Sequence, residues 1–235
     1  NEVANPLIGQ NDVVTGLVPA GTGNDFIQIL GFPDRFGEEH WKSFFDCSIT
    51  NMDTGTCNGI LFLNALGLGF DGEVAAKNYV APGETKKGGK IKYTWMILST
   101  LLFFREKKAK ITSNGTASET TCFMNTIGNG RRSAGAFYLT PNAIANDGEL
   151  DVCLITKLNL LQRLKIFMMV PKGTHLKDKH VHYHRTKKLT LEFPMEVPFH
   201  VDGEVHFAKK YVAEIHPNTL RIIYNPTGPH YLNVD

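Results

Sequence analysis

The chain has 235 residues, 42% of them hydrophobic, enough apolar mass to fill one large domain or two small ones and too much for a disordered chain. A net charge of +2 excludes a global electrostatic case for nucleic acid. Four widely spaced cysteines (Cys47, Cys57, Cys122, Cys153) with no C-x-x-C pair exclude a cysteine zinc site and a dense disulfide framework, and suit the reduced thiols of a cytoplasmic protein.

Residues 1–50 alternate: a helical pattern over 1–8, an apolar strand over 13–18, a helix over 24–30 stopped by Gly31 and Pro33, and a helix over 38–47. Alternation of this kind predicts part of a parallel sheet covered by helices. Between the strand and the second helix stands Pro19-Ala20-Gly21-Thr22-Gly23-Asn24-Asp25-Phe26. Small residues permit close backbone approach and a helix start favours an anion, so this turn is a candidate phosphate site. It matches neither the Walker pattern nor G-x-G-x-x-G, and a tight connection with Thr22 or Asn24 as helix cap is the plainer alternative.

From about Ser48 the texture changes to short β-like runs: 49–57, 60–66, 110–113, 120–127, 137–140, 150–156, 180–184, 189–193 and 211–215, then a last strand with Leu220, Ile222 and Tyr224 on one face. Asn114-Gly115 is a hairpin signal. Helical patterns over 71–79, 90–104 and 159–170 interrupt the series. Many short strands predict a sandwich-like second domain over 51–207, with 208–235 as a C-terminal segment.

The helix over 90–104 is apolar almost all round and has lysines before and after it. Its apolar run is shorter than the ~20 residues needed to span a bilayer. It is either buried against the sandwich, or lines a hydrocarbon cleft or touches a membrane surface. Two basic clusters, 77–110 and 177–188, are either solvated faces or contacts to an anionic membrane or a phosphate-bearing substrate.

Three turns carry carboxylates. In Asn146-Asp147-Gly148-Glu149-Leu150-Asp151, hard oxygen donors on a glycine turn suit Mg²⁺ or Ca²⁺, or make an ordinary Asp-Gly turn. In His200-Val201-Asp202-Gly203-Glu204, Glu204 is placed to act as a general base if a substrate hydroxyl lies near it. In Asn64-Ala65-Leu66-Gly67-Leu68-Gly69-Phe70-Asp71-Gly72, Asp71 reads as a helix N-cap. Asp53 adds an acid near the domain junction, where substrate clefts often lie. His180, His182 and His184 share one strand face, but without a Cys or Asp at supporting spacing they read as a half-exposed strand. No Gly-x-Ser-x-Gly elbow supports acyl transfer.

In combination, Pro19 to Phe26, Asn64-x-x-Gly67-x-Gly69-Phe70-Asp71, Pro141-x-Ala143-x-x-x-Asp147-Gly148-x-Leu150-Asp151 and Val201-Asp202-Gly203-Glu204 resemble the bacterial diacylglycerol kinase-like lipid kinases, a family that includes sphingosine and ceramide kinases. The resemblance implies an N-terminal α/β domain that binds ATP and a C-terminal β-sandwich domain, with the active site between them and the last strand returning to the first domain. It implies that Gly21, Thr22, Gly23 and Asn24 line the nucleotide together with Glu2, and that Glu204 takes the proton from the lipid hydroxyl. It implies that Asp147 holds Mg²⁺ with main-chain oxygens of Ile144 and Glu149, and that Asp53 links this metal through water toward the active site. The implied substrate is a diacylglycerol-like or sphingoid lipid, met by a peripheral protein at the inner membrane face, and a homodimer is compatible with the family. Phosphoryl transfer needs positioning and charge neutralisation more than covalent chemistry, so this set is physically sufficient.

Two departures qualify the match. The family's Gly-Gly-Asp-Gly-Thr loop stands just before a pair such as Asn1-Glu2, so the sequence is expected to lack its upstream portion. Ser133-Ala134-Gly135 replaces a stretch usually richer in glycine. Two other functions compete: a non-catalytic lipid-binding module, and an NAD kinase-like phosphotransferase.

Overall fold

The computed structural model describes the chain except residues 1, 22, 47, 80–89, 136 and 235, and the side chains of 90–93. Nine strands form one antiparallel sheet: β1 (Ile49–Cys57), β2 (Ile60–Phe62), β3 (Ala65–Gly69), β4 (Lys107–Ser113), β5 (Thr116–Gly128), β6 (Leu150–Thr156), β7 (Val181–Thr186), β8 (Lys188–Val201) and β9 (Glu204–Ile223). The main path runs β2-β1-β9-β8-β3-β5-β6-β7, and β4 also lies between β5 and β8. β3 and β4 therefore share one slot end to end, β3 beside Phe199 to Val201 of β8 and β4 beside Leu189 to Glu192. The strands curl around apolar residues that include Phe62, Leu66, Ile127, Leu191, Phe199 and Tyr211.

Turn chemistry sets the registers. Asn58-Gly59, Asn114-Gly115 and Asp202-Gly203 all have positive φ at both residues and close β1-β2, β4-β5 and β8-β9 as two-residue hairpins. This backbone hand matches strand twist, and Gly at the second position adopts it at little cost.

Helices α2 (Phe70–Lys77), α3 (Lys90–Phe103) and α4 (Leu160–Met169) cover a second apolar cluster on the sheet, with Phe70, Leu101, Phe123, Ile155 and Ile166 buried in it. A third cluster joins the front segment to the far end of the sheet: Ile27, Ile29, Leu30 and Phe32 pack on Met52, Leu220, Ile222 and Leu232. The last strand does return to the first segment. The mixed α/β architecture with a sandwich-like sheet agrees with the sequence reading.

Several elements differ from expectation. The pattern over 1–8 forms only a 3-10 turn at Asn5–Leu7, and 24–30 forms a 3-10 helix at Phe26–Leu30. The run over 13–18 makes a single parallel bridge, Thr15 to Ile222, because Leu17 and Val18 leave the sheet for a cleft wall. Helix α1 spans Glu38–Phe45, and Cys47 lies outside the described residues. The run over 60–66 divides into β2 and β3. The apolar alternation over 137–140 serves packing, with one bridge to Ser133 and Tyr138 N–H bonded to Val170 beyond α4. β8 runs through Pro194 because a register shift between Glu192 and Val197 absorbs the missing donor, and Pro198 stands in the ladder beyond it, opposite Phe207. β9 fuses two expected strands.

Arg163 on α4 ties the helices together. It is buried, donates to the carbonyls of Leu101 (2.6 Å) and Phe104 (2.9 Å) at the end of α3, and pairs with Glu106 at 2.6 Å. Carbonyls in the last turn of a helix have no partner within it, so this guanidinium both caps α3 and neutralises a buried carboxylate. Arg163→Met is expected to cost about 3–5 kcal/mol in urea unfolding, because it leaves Glu106 buried and unpaired.

Candidate active site

A cleft of about 1000 Å³ opens between the front segment and the sheet. One wall is the turn Pro19 to Asn24, and the other carries Asn64, Asp71, Ser133, Ala134, His200, Asp202, Gly203 and Val205. The volume suits a nucleotide-sized ligand.

The glycine turn is closed by Asn24, which has a positive φ of 46°. Its Oδ1 accepts from Gly21 N–H (2.9 Å), and its Nδ2 donates to the carbonyls of Gly21 (2.9 Å) and Asp34 (3.1 Å). The side chain of Asn24 thus shapes the loop itself, and the short helix after it has Asp25 at its N-cap with no side-chain capping bond. Any anion affinity here rests on the loop, without a long helix dipole behind it. Thr22 lies outside the described residues.

The turn is latched from across the cleft. Arg132, 9% exposed, donates to Asp25 Oδ1 (2.8 Å), Asp34 Oδ1 (3.1 Å) and the Gly23 carbonyl (3.3 Å). The N–H of Gly135 adds bonds of 3.0 Å to both Asp25 oxygens. Burial pushes the Asp25 carboxyl above its ordinary range, against the pull of Gly135 and Arg132. In Ser133-Ala134-Gly135 the turn is closed with Ala134 at a positive φ of 52°, a conformation that favours glycine, and Gly135 supplies the latch N–H.

The tip of the β8-β9 hairpin is held by Asp202. Its carboxylate accepts from the N–H groups of Leu63 (2.7 Å), Asn64 (3.1 Å) and Ala65 (2.8 Å). Burial raises its pKa while these three bonds lower it, and the net shift is upward. Glu204 follows this anchored turn and is exposed, between Gly203 and Val205, which line the cleft.

Asp71 is not the N-cap of α2, a position taken by Gly69. One residue beyond it, Gly72 approaches the backbone of Pro198 too closely for any side chain, which presses α2 onto β8. Asp71 consequently lies against His200, with Oδ2 to Nε2 at 2.9 Å. Burial pushes the His200 pKa down, but the Asp71 charge and hydrogen bond and the Asp202 charge push it up, and the upward shift wins.

Asp53, Asp147 and Glu149 form a second acidic group beside the cleft. Asp53 is fully buried, and its two carboxylate oxygens accept from Asn218 N–H (2.8 Å) and Gly148 N–H (2.7 Å). Its own N–H donates to Ala145 (2.8 Å), and its carbonyl accepts from Asn129 Nδ2 (2.9 Å). Asn129 also donates to the Leu63 carbonyl (3.1 Å), which connects this group to the peptide held by Asp202. Asp147 accepts from Glu149 N–H (3.1 Å) and from Arg185 (3.1 Å). Burial raises the pKa of both Asp53 and Asp147. Ile144 is half-buried on the same turn, and Glu2 is exposed away from the cleft lining.

The donors around Asp147 are hard oxygens of the kind Mg²⁺ prefers, although Arg185 shares them. Among the described residues, no three His, Cys, Asp or Glu side chains converge on a point that could hold a metal. A cation here would therefore depend on main-chain oxygens and water.

The structure thus brings Gly21, Gly23 and Asn24 together with the hairpin that carries Glu204, and separately groups Asp53, Ile144, Asp147 and Glu149. Sequence reasoning missed Arg132, Asn129 and the Asp71-His200 pair. Arg132 follows Asn129-Gly130-Arg131 with no spacing pattern to single it out, and its partners lie about a hundred residues upstream. Arg132→Met is expected to raise amide exchange at Gly23 to Asp25 and at Gly135 by about tenfold or more, the value of one lost charged hydrogen bond, with the sheet still protected.

The family model described as the diacylglycerol kinase catalytic domain matches residues 1–78, and that of the YegS C-terminal NAD kinase beta sandwich-like domain matches residues 65–224. Over 209 residues the chain is 28% identical to a diacylglycerol kinase of Bacillus subtilis (strain 168), covering 87% of this chain and 67% of that one. It is 25% identical over 237 residues to a protein of Shewanella frigidimarina (strain NCIMB 400) named as a YegS-like lipid kinase, covering 97% and 74%. A crystal structure from Bacillus anthracis str. Sterne, titled as a candidate diacylglycerol kinase, superposes with a TM-score of 0.71 at 26% identity, covering 92% of this chain and 71% of that one.

Proposed function

The chain belongs to the diacylglycerol kinase-like family of lipid kinases, and from that premise we propose that it transfers the γ-phosphate of ATP to a hydroxyl of a diacylglycerol-like or sphingoid lipid. The observation that carries the reading is the meeting of two unlike cavities. The polar cleft shares Asp71, Val74, Ser133 and Ala134 with an apolar pocket lined by Ile97, Leu101, Phe123, Ile166 and Phe167. The polarity of that arrangement matches a molecule that is phosphorylated at one end and hydrocarbon at the other, and does not match NAD, polar throughout.

In this reading the glycine turn, latched by Arg132, holds the nucleotide against the hairpin tip. The lipid hydroxyl oxygen attacks the γ-phosphorus, the bond to the β,γ-bridging oxygen breaks with its electron pair leaving on ADP, and the hydroxyl proton passes to Glu204. Asp147, with main-chain oxygens of Ile144 and Glu149, would hold Mg²⁺, whose charge offsets that of the phosphates. Asp53 keeps that turn in place through Gly148. The exposure of Glu204 suits a base that must meet a substrate arriving from outside.

In the full-length protein, Glu204→Gln is expected to lower kcat for radiolabelled phosphate transfer to a lipid panel by about a hundredfold or more, the usual value of a general base, with little change in KM. Full activity in the Gln variant removes Glu204 from the mechanism. Failure of the parent to phosphorylate any lipid sinks the kinase reading, and lipid binding without turnover points to the binding module instead.

No helix among the described residues is long and apolar enough to cross a membrane. Two helices nevertheless present apolar side chains outward: Trp95 and Phe103 of α3 are 70% and 79% exposed, and Leu161 and Met168 of α4 are 77% and 70% exposed. Arg105, Lys157 and Lys165 are exposed alongside. Apolar groups rimmed by cations suit an anionic bilayer, and the helices that expose them also line the apolar pocket. Phe103→Glu combined with Leu161→Glu is expected to weaken co-sedimentation with phosphatidylglycerol vesicles at least tenfold, since each buried side chain contributes about 1.5–3 kcal/mol. Turnover of a short-chain soluble lipid should be unchanged.

A further inference from the structure

The Asp71-His200 pair stands at the boundary between the two cavities, and the proposed transfer step does not use it. Asp71 lines both the polar cleft and the apolar pocket. Its side chain is 24% exposed and that of His200 is 9% exposed. The site is built over two neighbouring strands, β3 and β8. Gly67 of β3 sits directly across from His200 in the ladder. A Cβ at Gly67 would overlap both Asp71 Oδ2 and His200 Nε2, so the glycine makes the space in which the two meet. His200 Nδ1 is buried and has no partner, so the only protein bond of the imidazole is the one that orients Asp71.

A carboxylate held in this way offers lone pairs and no proton. It gains from a hydroxyl or an ammonium and gains nothing from an ester carbonyl, which is itself an acceptor. A lipid seated with its chain in the apolar pocket brings its head to the border with the cleft, where Asp71 is the one charged side chain among the four residues the two cavities share.

We propose that Asp71, oriented by His200, binds a second hydrogen-bond donor on the lipid head, next to the hydroxyl that is phosphorylated, and so selects lipids that carry one. Asp71 touches substrate and His200 is a positioning residue. The inference rests on the lipid kinase reading and narrows its substrate class. A monoacylglycerol supplies the donor as a neutral hydroxyl and a sphingoid base as an ammonium, whereas a diacylglycerol has no donor to spare.

The test is competition in mixed micelles with the full-length protein, offering 1-monooleoylglycerol, sphinganine and 1,2-dioleoylglycerol. The quantity read is the ratio of kcat/KM values within one preparation, from which the active fraction cancels, so partial misfolding of a variant does not move it. The parent is expected to favour at least one donor-bearing lipid over dioleoylglycerol by about tenfold or more, the worth of a hydrogen bond to a charged group. Asp71→Asn and Gly67→Ala should bring the ratio toward one, His200→Gln should keep part of it by donating through its amide, and KM for ATP should stay constant. A parent that uses dioleoylglycerol as well as both others, or a ratio untouched by Asp71→Asn, overturns the inference while the kinase reading stands. A parent inactive on all three lipids overturns both.

Discussion

A carboxylate can be buried only if its lone pairs are filled, and Asp53 meets that condition with N–H groups from Asn218 and Gly148, while its backbone bonds to Ala145 and Asn129. The β9 bulge at Asn218, the acidic turn at Gly148, the carbonyl of Ala145 and the side chain of Asn129 all bond to this one residue. The register shift between Met52 and Thr54 is where the strand opens to admit it. Each bond to the charged group adds stability on the order of 1.5–3 kcal/mol, and loss of the carboxylate would leave two backbone donors, Asn218 N–H and Gly148 N–H, without it. Through Asn129 the same network reaches the peptide bonded to Asp202, so the acidic turn and the hairpin tip are set relative to each other by one chain of hydrogen bonds.

Legibility in the sequence followed the range of the forces involved. Local chemistry was readable: the Asn114-Gly115 hairpin, the α4 stripe ended by Pro171, and the whole of β1. Elements whose form depends on partners far along the chain were not. The run over 13–18 has strand composition but finds a single bridge, and the alternation at 137–140 reflects packing beside α4. Asp71 has the composition of a cap, yet the close approach of Gly72 to β8, a tertiary fact, turns it toward His200. The glycine turn was found in the right place, but its partner Arg132 was not, because a salt bridge across about a hundred residues leaves no periodicity. Family resemblance supplied the expectations for Glu204 and Asp147, which residue chemistry alone had left open.

The cleft is organised by contrast in polarity. On one side, backbone groups and buried charges are fixed by mutual hydrogen bonds, which gives a rigid polar wall with little reorganisation to make when a charged ligand enters. On the other side, Phe, Leu and Ile side chains from α3, α4 and the sheet make a surface with almost no hydrogen-bonding capacity. Asp71, Ser133 and Ala134 form the narrow border between them. Arg163 has a part in this division, since it removes the polar carbonyls at the end of α3 from a region that is otherwise hydrocarbon.

The course of β9 has a consequence for how the molecule is made. Among the described residues, 1–48 contribute no strand to the sheet, and their neighbours Leu220, Ile222 and Leu232 lie far later in the chain. β1, which follows directly, pairs along its whole length with β9 between Ala213 and Ile223. The glycine turn meets its latch, Arg132 and Gly135, well before β9, but the apolar residues behind it, Ile27, Ile29 and Leu30, have their partners Leu220 and Ile222 only once β9 is made. Loop closure over such separations is entropically costly and slow. The β3 to β7 region, whose contacts are nearer in sequence, is the part able to fold early, and the apolar backing of the glycine turn is completed only with β9.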